Sequence, residues 1–312
     1  MKTLPPILIR SRTISTALGE VTVRILCEDF SPLYPGMKRY LVEAAGKEGV
    51  IAAFRTNTYE YSPGVPLTAE KAAISHADDW EAYLAEDAAG FAGHHAPHTH
   101  YPVPEPLRTD VVVIQGSPRP DGNCGIIAGW VAEAVKAWER SVQVLYLDDL
   151  ILHPCIGCYR CFNDGVCTFE DDMEAIYDAL EHASLLVVCS PVYTNTVPAG
   201  LKAVMDRCQA LHARRTIAGR RPTKKDRRGL FFSVAGRVGD ENFAAILPVA
   251  EAFFSLAGYP LAGTACFGGM DHVPGIHAVP GARERVMEAL GPVPAEPNGG
   301  RPADAGGGEP EA

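Results

Sequence analysis

Between residues 108 and 291, the hydrophobic positions alternate between short continuous runs and longer stretches with helical spacing. The continuous runs predict buried parallel strands, and the spaced stretches predict the helices that connect them. The predicted strands are 110–116, 142–147, 184–190, 229–235 and 261–267, and the predicted helices are 123–138, 173–182, 198–211, 242–257 and 281–290. This alternation predicts an α/β fold with a doubly wound, five-stranded parallel sheet.

The first hundred residues have a different pattern. Residues 7–16 and 21–28 alternate as in a hairpin that turns at Leu18 and Gly19, whereas 37–45 and 69–84 have helical spacing. A small α+β domain is therefore predicted for residues 1–93, and the sequence assigns it no role.

Composition supplies the remaining boundaries. Residues 94–107 are rich in His and Pro and predict a linker, so that the second domain spans 108–291. Residues 292–312 are rich in Pro, Gly and Ala and predict a disordered tail.

Composition and charge also exclude several classes of protein. With 47% apolar residues the chain can bury a core, but no apolar run is long enough to span a membrane. The net charge of −10 argues against nucleic-acid binding. Residues 1–10 lack the pattern of a secretory signal, which predicts a cytoplasmic protein.

Cysteine spacing is the first sign of chemistry. Four of the nine cysteines, Cys155, Cys158, Cys161 and Cys167, follow the pattern C-x2-C-x2-C-x5-C. Compact spacing of this kind favours an iron–sulfur cluster, with structural zinc or free, redox-active thiols as alternatives. The other five cysteines are scattered, and we interpret them as structural.

A second candidate site follows the first strand of the α/β domain. The loop Gly116-Ser-Pro-Arg-Pro-Asp-Gly-Asn123 leads directly into a predicted helix. Free N–H groups at a helix N-terminus attract phosphate, and Ser117, Arg119 and Asn123 can add hydrogen bonds. Neither a Walker A motif nor G-x-G-x-x-G is present, so neither a nucleoside triphosphate nor a dinucleotide is the expected ligand.

Two further loops follow the third and fourth strands, at 190–196 and 235–240. In an open α/β sheet such loops share the carboxyl edge, where ligands bind. Tyr193 and nearby backbone amides suit a flat heteroaromatic ring.

The order of these motifs resembles the flavodoxin-like NAD(P)H-dependent FMN reductase family, in its iron–sulfur flavoprotein branch. The resemblance covers about residues 108–290. It implies a sheet of order 2-1-3-4-5, FMN as cofactor, a [4Fe–4S] cluster on the four cysteines, and assembly into homodimers or homotetramers.

The resemblance also implies cofactor-binding residues, although it assigns no catalytic residue. Ser117, Arg119 and Asn123 match the family's phosphate contacts, and the residues that match its ring-side loop are Pro191, Val192, Tyr193 and Thr196. Cys124 stands where the family commonly has Thr or Ser, and residues 194–198 replace a smaller stretch. The other candidate cofactor-binding residues belong to the same loops or to the loop after the fourth strand, and they are Gly122, Cys124, Thr194, Asn195, Ala235 and Gly236.

A basic segment, 214–228, carries eight basic side chains and one acidic one. It is interpreted either as a solvated loop or as a site for ferredoxin or for the extra phosphate of NADPH, with RNA as a further alternative. His94, His95, His98 and His100 could bind a metal, but their linker offers no organised surroundings.

The leading hypothesis is an FMN and [4Fe–4S] oxidoreductase that takes electrons from ferredoxin or NAD(P)H. One alternative is an FMN or quinone reductase with zinc or no metal at the cysteine loop. A second alternative, from another class, is a non-catalytic redox- or metal-sensing module.

Overall fold

The computed structural model describes residues 5–62, 65–95, 108–220 and 226–292, and it contains two β-sheets. Most of the predicted linker and all but one residue of the predicted tail lie outside these ranges. The proposed domain boundaries in those segments therefore stay predictions.

The N-terminal sheet is antiparallel, and its four strands lie in sequence order. Its elements are β1 (Ile7–Thr16), β2 (Gly19–Asp29), β3 (Lys38–Gly46), β4 (Gly49–Asn57), α1 (Ala69–Glu86) and α2 (Ala88–His94). Alternate residues of β2, such as Val23 and Ile25, pack with Ala77 and Trp80 of α1 in one core. The α+β character and the first hairpin agree with the sequence-based expectation.

The predicted helix at 37–45 was wrong, because this segment is strand β3. Its helix-forming residues suggested helical spacing, yet Tyr40, Val42 and Ala44 are buried with the period of two that marks a strand. Pairing with β2 on one side and β4 on the other overrides the weak helical preference.

The second sheet is parallel and has five strands in the order β6-β5-β7-β8-β9. Its elements are β5 (Val111–Gln115), α3 (Asn123–Ala137), β6 (Val142–Tyr146), α4 (Cys161–Asp164), α5 (Met173–His182), β7 (Leu185–Pro191), α6 (Ala199–Arg207), α7 (Gln209–Thr216), β8 (Arg228–Val234), α8 (Ile246–Ala257), β9 (Leu261–Phe267) and α9 (Ala282–Leu290). Counted within the domain, this order is 2-1-3-4-5, so the flavodoxin-like prediction is confirmed.

Helices cover both faces of this sheet. Ile127 of α3 and Val286 of α9 share one core with alternate strand residues, and Ile176 of α5 and Phe254 of α8 share the other. The strands are buried on both faces, as their continuous apolar runs predicted.

Two helices differ from their predicted bounds. The predicted helix 198–211 is two helices, α6 and α7, that meet at Cys208, and α8 begins only at Ile246 after a short 3₁₀ turn. Among the described residues, no helix is both long and apolar enough to cross a membrane.

Candidate cofactor edge and cysteine loop

Four loops open on the carboxyl edge of the parallel sheet, after β5, β6, β7 and β8. Backbone hydrogen bonds tie the strand ends together: Gly116 N donates to Cys189 O over 2.8 Å, and Val192 N donates to Val234 O over 2.8 Å. The loops after β5 and β7 flank the point where the strand order reverses, which is where open α/β sheets bind ligands. The structure thus brings all the predicted site loops to one edge.

The loop after β5 ends at the N-terminus of α3, which offers free backbone donors. Gly122 occupies the N-cap position and provides no side-chain cap, and the first three N–H groups of a helix have no partner within it. A Cβ atom built on Gly125 would lie 1.7 Å from the carbonyl oxygen of Pro120, so this loop closes only over a glycine. This backbone geometry is the one expected of a candidate anion site.

Two side chains of the loop form hydrogen bonds with the protein backbone. Ser117 Oγ accepts a hydrogen bond from Arg119 N over 3.1 Å, and Asn123 Oδ1 accepts one from Ile276 N over 2.8 Å. The Ser117 hydroxyl and the Asn123 amide keep donors for a ligand, and Arg119 is exposed. The Cys124 side chain is buried in a core shared by α3 and the sheet, where burial raises the pKa of its thiol to about 12.

Sequence reasoning missed Gln115, the last residue of β5. Its side chain is fully buried, and its Nε2 donates to Arg119 O over 3.0 Å. Its Oε1 has no hydrogen-bond partner among the described residues. A polar residue that ends an otherwise apolar strand run was the available signal.

The loop after β7 forms a tight turn. Tyr193 N donates to Thr196 O over 2.8 Å, and the reverse bond measures 3.0 Å. Thr194 and Asn195 between them have φ values of +48° and +61°, as a type I′ turn requires. Left-handed backbone is unfavourable for a β-branched residue, and such strain is typical of functional loops. The turn leaves Tyr193 42% exposed at the edge.

The loop after β8 is supported by the segment that follows β9. Ala235 N donates to Phe267 O, and Met270 N donates to Ala235 O. A Cβ atom on Gly236 would lie 2.3 Å from the carboxylate of Asp271, so a larger residue there would have to displace that side chain. Pro191 and Val192, at the end of β7, lie beside this loop and are half-buried.

The four-cysteine motif lies in the loop between β6 and α5. Cys155 is exposed, and the other three are half-buried. Burial raises the pKa of Cys161 to about 12. Within the described ranges, no three His, Cys, Asp or Glu side chains are close enough to share one metal ion.

This arrangement bears on the kind of metal centre that fits. A zinc site requires its sulfurs to converge about 2.3 Å from one ion. In a [4Fe–4S] cluster each thiolate binds a different iron, so neighbouring sulfurs need not meet at one point. Four neighbouring thiols on one edge loop thus form a donor set that suits a cluster.

A buried ion pair supports this loop from below. Both guanidinium nitrogens Nη1 and Nη2 of Arg207 donate to the carboxylate of Asp171 over 2.8 Å, and both side chains are 1% exposed. Asp171 also accepts from His153 N, and Arg207 donates to His153 O. Burial alone would raise the pKa of Asp171, but these hydrogen bonds hold it well below its ordinary value. Sequence reasoning missed this brace, because it joins two residues that are 36 apart in the chain.

The basic segment proves to be partly structural. Arg214 is buried, donates to Gly165 O in the cysteine loop and pairs with Glu174 and Glu181. Arg215, Arg227 and Arg228 donate to backbone carbonyl groups of neighbouring elements. Half of the eight basic side chains therefore hold the fold together. Arg220 is exposed, whereas 221–225 lie outside the described residues.

The fold and the edge together define a flavodoxin-like domain with a cysteine-rich loop. Residues 109–246 match the model of the NADPH-dependent FMN reductase family. Residues 109–246 therefore carry a domain of this family, and the curated relatives that match the chain are iron–sulfur flavoproteins, which supports the resemblance inferred from the motifs.

Several curated relatives are named iron–sulfur flavoproteins. An iron–sulfur flavoprotein of Methanocaldococcus jannaschii is 37% identical over 101 residues, which cover 32% of this chain and 52% of the relative. An iron–sulfur flavoprotein of Archaeoglobus fulgidus is 31% identical over 138 residues, which cover 43% of this chain and 66% of the relative. The matches thus span about half to two thirds of the relatives' length.

Among solved structures, an FMN-dependent NADH-azoreductase of Bacillus anthracis, in complex with FMN, is 16% identical with a TM-score of 0.43. The similarity covers 57% of this chain and 96% of that protein. At this score the similarity adds nothing to the fold assignment, which rests on the strand order.

Proposed function

We propose that this protein is an FMN-dependent oxidoreductase whose cysteine loop holds a [4Fe–4S] cluster. The observation that carries the proposal is the shared edge: the four-thiol loop after β6 opens on the same side of the sheet as the anion loop after β5 and the loops after β7 and β8. One edge can therefore hold a flavin and a cluster close together.

The α3 N-terminus is the proposed site of the FMN phosphate. The free N–H groups that follow Gly122 and the helix dipole favour a dianion, and the Ser117 hydroxyl and Asn123 amide add donors. Arg119 is exposed beside the loop and adds positive charge. The unpartnered Gln115 Oε1 is an acceptor at the base of the same loop.

The loops after β7 and β8 are the proposed walls for the flavin ring. The turn at Thr194 and Asn195 presents Tyr193 and backbone amides at the edge, and Val192 contributes apolar surface. Ala235 and Gly236 are the proposed opposite wall, and the Asp271 carboxylate lies against Gly236 there. These residues bind and orient the ring and keep water from one side of it.

Cys155, Cys158, Cys161 and Cys167 are the proposed cluster ligands. A bound cluster supplies one-electron transfer, which complements a flavin that accepts one or two electrons. The protein contributes the position of the loop, through the pair Arg207–Asp171 below it and Arg214 beside it.

The electron donor is proposed to be NAD(P)H or ferredoxin. The basic segment supports a docking role for an acidic protein only through Arg220 and its neighbours, because Arg214, Arg215, Arg227 and Arg228 are engaged in the fold. If ferredoxin docks there, the rate of electron transfer falls with ionic strength and with charge reversal at Arg220 and Arg221.

Assembly into a homodimer or homotetramer is also proposed. Large apolar side chains at the carboxyl edge are exposed, and monomeric proteins rarely expose many together. They are Ile151, Ile156, Tyr159, Val166, Tyr193 and Val238. Light scattering of the holoprotein tests this proposal, and a monomer at micromolar concentration contradicts it.

The direct test is the composition of anaerobically purified protein. We expect about four iron atoms and one FMN per chain, with broad cluster absorption around 400 nm over the flavin bands. Cys158→Ala abolishes the cluster and leaves FMN bound. Cys266→Ala, a control at a cysteine of similar burial outside the loop, keeps both cofactors.

Each alternative predicts a different composition. Zinc with flavin, or flavin without metal, supports the FMN or quinone reductase and overturns the cluster. Protein that binds no flavin overturns both enzymatic functions and favours the non-catalytic sensing module.

A further inference from the structure

The N-terminal domain contacts the cysteine loop at Asn163, a buried residue of the motif itself. Asn163 lies in α4, between Cys161 and Cys167, and is 3% exposed. Its side chain accepts a hydrogen bond from Asn57 Nδ2 over 2.7 Å and donates one to Glu60 Oε1 over 2.8 Å. Its carbonyl oxygen accepts from Arg39 Nη1 over 2.5 Å. All three partners belong to the N-terminal sheet or the turn that follows it.

These partners are themselves held in place before they reach Asn163. Arg39 Nε donates to Glu28 Oε2 on the neighbouring strand over 2.7 Å. Glu60 Oε1 also accepts from Asn57 N, which closes a capping box at the end of β4. The N-terminal domain therefore presents an organised polar surface to the loop, and such surfaces lose little entropy on contact.

An apolar contact adjoins the polar one. Phe162, the residue before Asn163, is buried and packs edge-on against Tyr34 with ring centroids 5.1 Å apart. Phe30 and Met37 belong to the same cluster, and Cys161 is packed against it. The Tyr34 hydroxyl also bonds His212 of α7 at 2.8 Å, so the N-terminal domain spans both α4 and α7.

These contacts determine where α4 lies, because α4 is short. A helix of four residues has too few internal hydrogen bonds to be stable in water by itself. Its position, and with it the position of Cys161, depends on what packs against it. Cys155, at the start of the motif, is exposed.

We propose that the N-terminal domain is a clamp on the cysteine loop, and that Arg39, Asn57 and Asn163 are positioning residues that hold α4 and shield Cys161. This proposal depends on the proposed function in one respect: the group that the clamp would protect is the proposed cluster. The contacts are made by protein atoms alone, so they can be tested in metal-free protein.

The first experiment measures thiol access in reduced, metal-free, full-length protein. Iodoacetamide labelling followed by peptide mass mapping gives separate rates for Cys161 and Cys155. Arg39→Ala removes the contact with Asn163, and we expect Cys161 labelling to rise about tenfold, which corresponds to about 1.4 kcal/mol of opening free energy. Labelling of Cys155 stays unchanged.

A matched control is available on the same sheet. Arg24 also joins β2 to β3 through a glutamate, Glu43, but does not reach the cysteine loop. Arg24→Ala leaves Cys161 labelling at the wild-type rate. Arg39→Lys keeps a charge for Glu28 and loses the two-sided fork, so it raises the Cys161 rate in the same direction even if Arg39→Ala fails to fold.

The second experiment uses the holoprotein, in which the clamp variants lose absorbance around 400 nm faster than wild type when a chelator is added. An unchanged Cys161 rate in folded Arg39→Ala and Arg39→Lys overturns the clamp, as does an equal rise in Arg24→Ala. A protein that binds no iron overturns the proposed cluster but leaves the labelling result to decide the clamp.

Discussion

The phosphate loop and the cysteine loop lie on the same sheet edge but are held in different ways. The phosphate loop is shaped by backbone: Gly122 and Gly125 allow a close turn, and the helix that follows provides donors. The cysteine loop is long and is held by side chains from other elements, chiefly Arg207, Arg214 and Arg39. A local loop can be identified from local sequence, whereas a braced loop depends on partners far away in the chain.

The largest expected effect comes from the buried brace of the cysteine loop. Arg207→Met leaves Asp171 buried without its partner, and we expect a loss of about 3–5 kcal/mol in the free energy of unfolding, with loss of bound iron. Urea unfolding and iron analysis provide the measurement.

Lys202→Met on the same helix, α6, is the control for this change. It breaks the exposed pair Lys202–Asp206, which contributes about 0–1 kcal/mol. Equal stability losses in the two variants would show that the cysteine loop does not depend on its buried brace.

In the phosphate loop, we expect a substitution to weaken FMN binding by changing the backbone geometry, not by removing a side-chain contact. Gly125→Ala places a Cβ against the Pro120 carbonyl, so we expect FMN affinity to fall at least about tenfold, or about 1.4 kcal/mol, while iron content is retained. Quenching of flavin fluorescence measures the affinity. Gly129→Ala, one turn further along α3 with open space around it, keeps wild-type affinity. If Gly125→Ala also retains it, this loop is not the phosphate site.

The smallest expected effects are changes in stability within the basic segment, where they distinguish buried arginines that hold the fold from exposed ones. Arg214→Gln loses a buried hydrogen bond to the cysteine loop and should cost about 1–3 kcal/mol of stability. Arg220→Gln changes stability by less than about 0.5 kcal/mol, since Arg220 is exposed. Thermal or urea unfolding distinguishes them. Similar losses in both variants would mean that the segment acts as one structural unit.

Local signals in the sequence were sufficient for the α/β domain. Apolar runs located its five strands, and their alternation with helices predicted a doubly wound sheet, whose order 2-1-3-4-5 came from the resemblance. The segment 37–45 shows the limit: its residue types favour helix, and only pairing with two neighbouring strands makes it β3. The cysteine spacing was visible, but its assignment to a cluster stays a prediction.

By itself, the sequence determined the motifs, their order and the edge on which they would meet, because strand periodicity, glycine turns and cysteine spacing are properties of short segments. Only the tertiary structure decided what holds them. The pair Arg207–Asp171 joins residues 36 apart, and Asn57 reaches Asn163 across 106 residues. No local pattern encodes such contacts, since they arise only when burial brings distant polar groups together and leaves each as the other's partner.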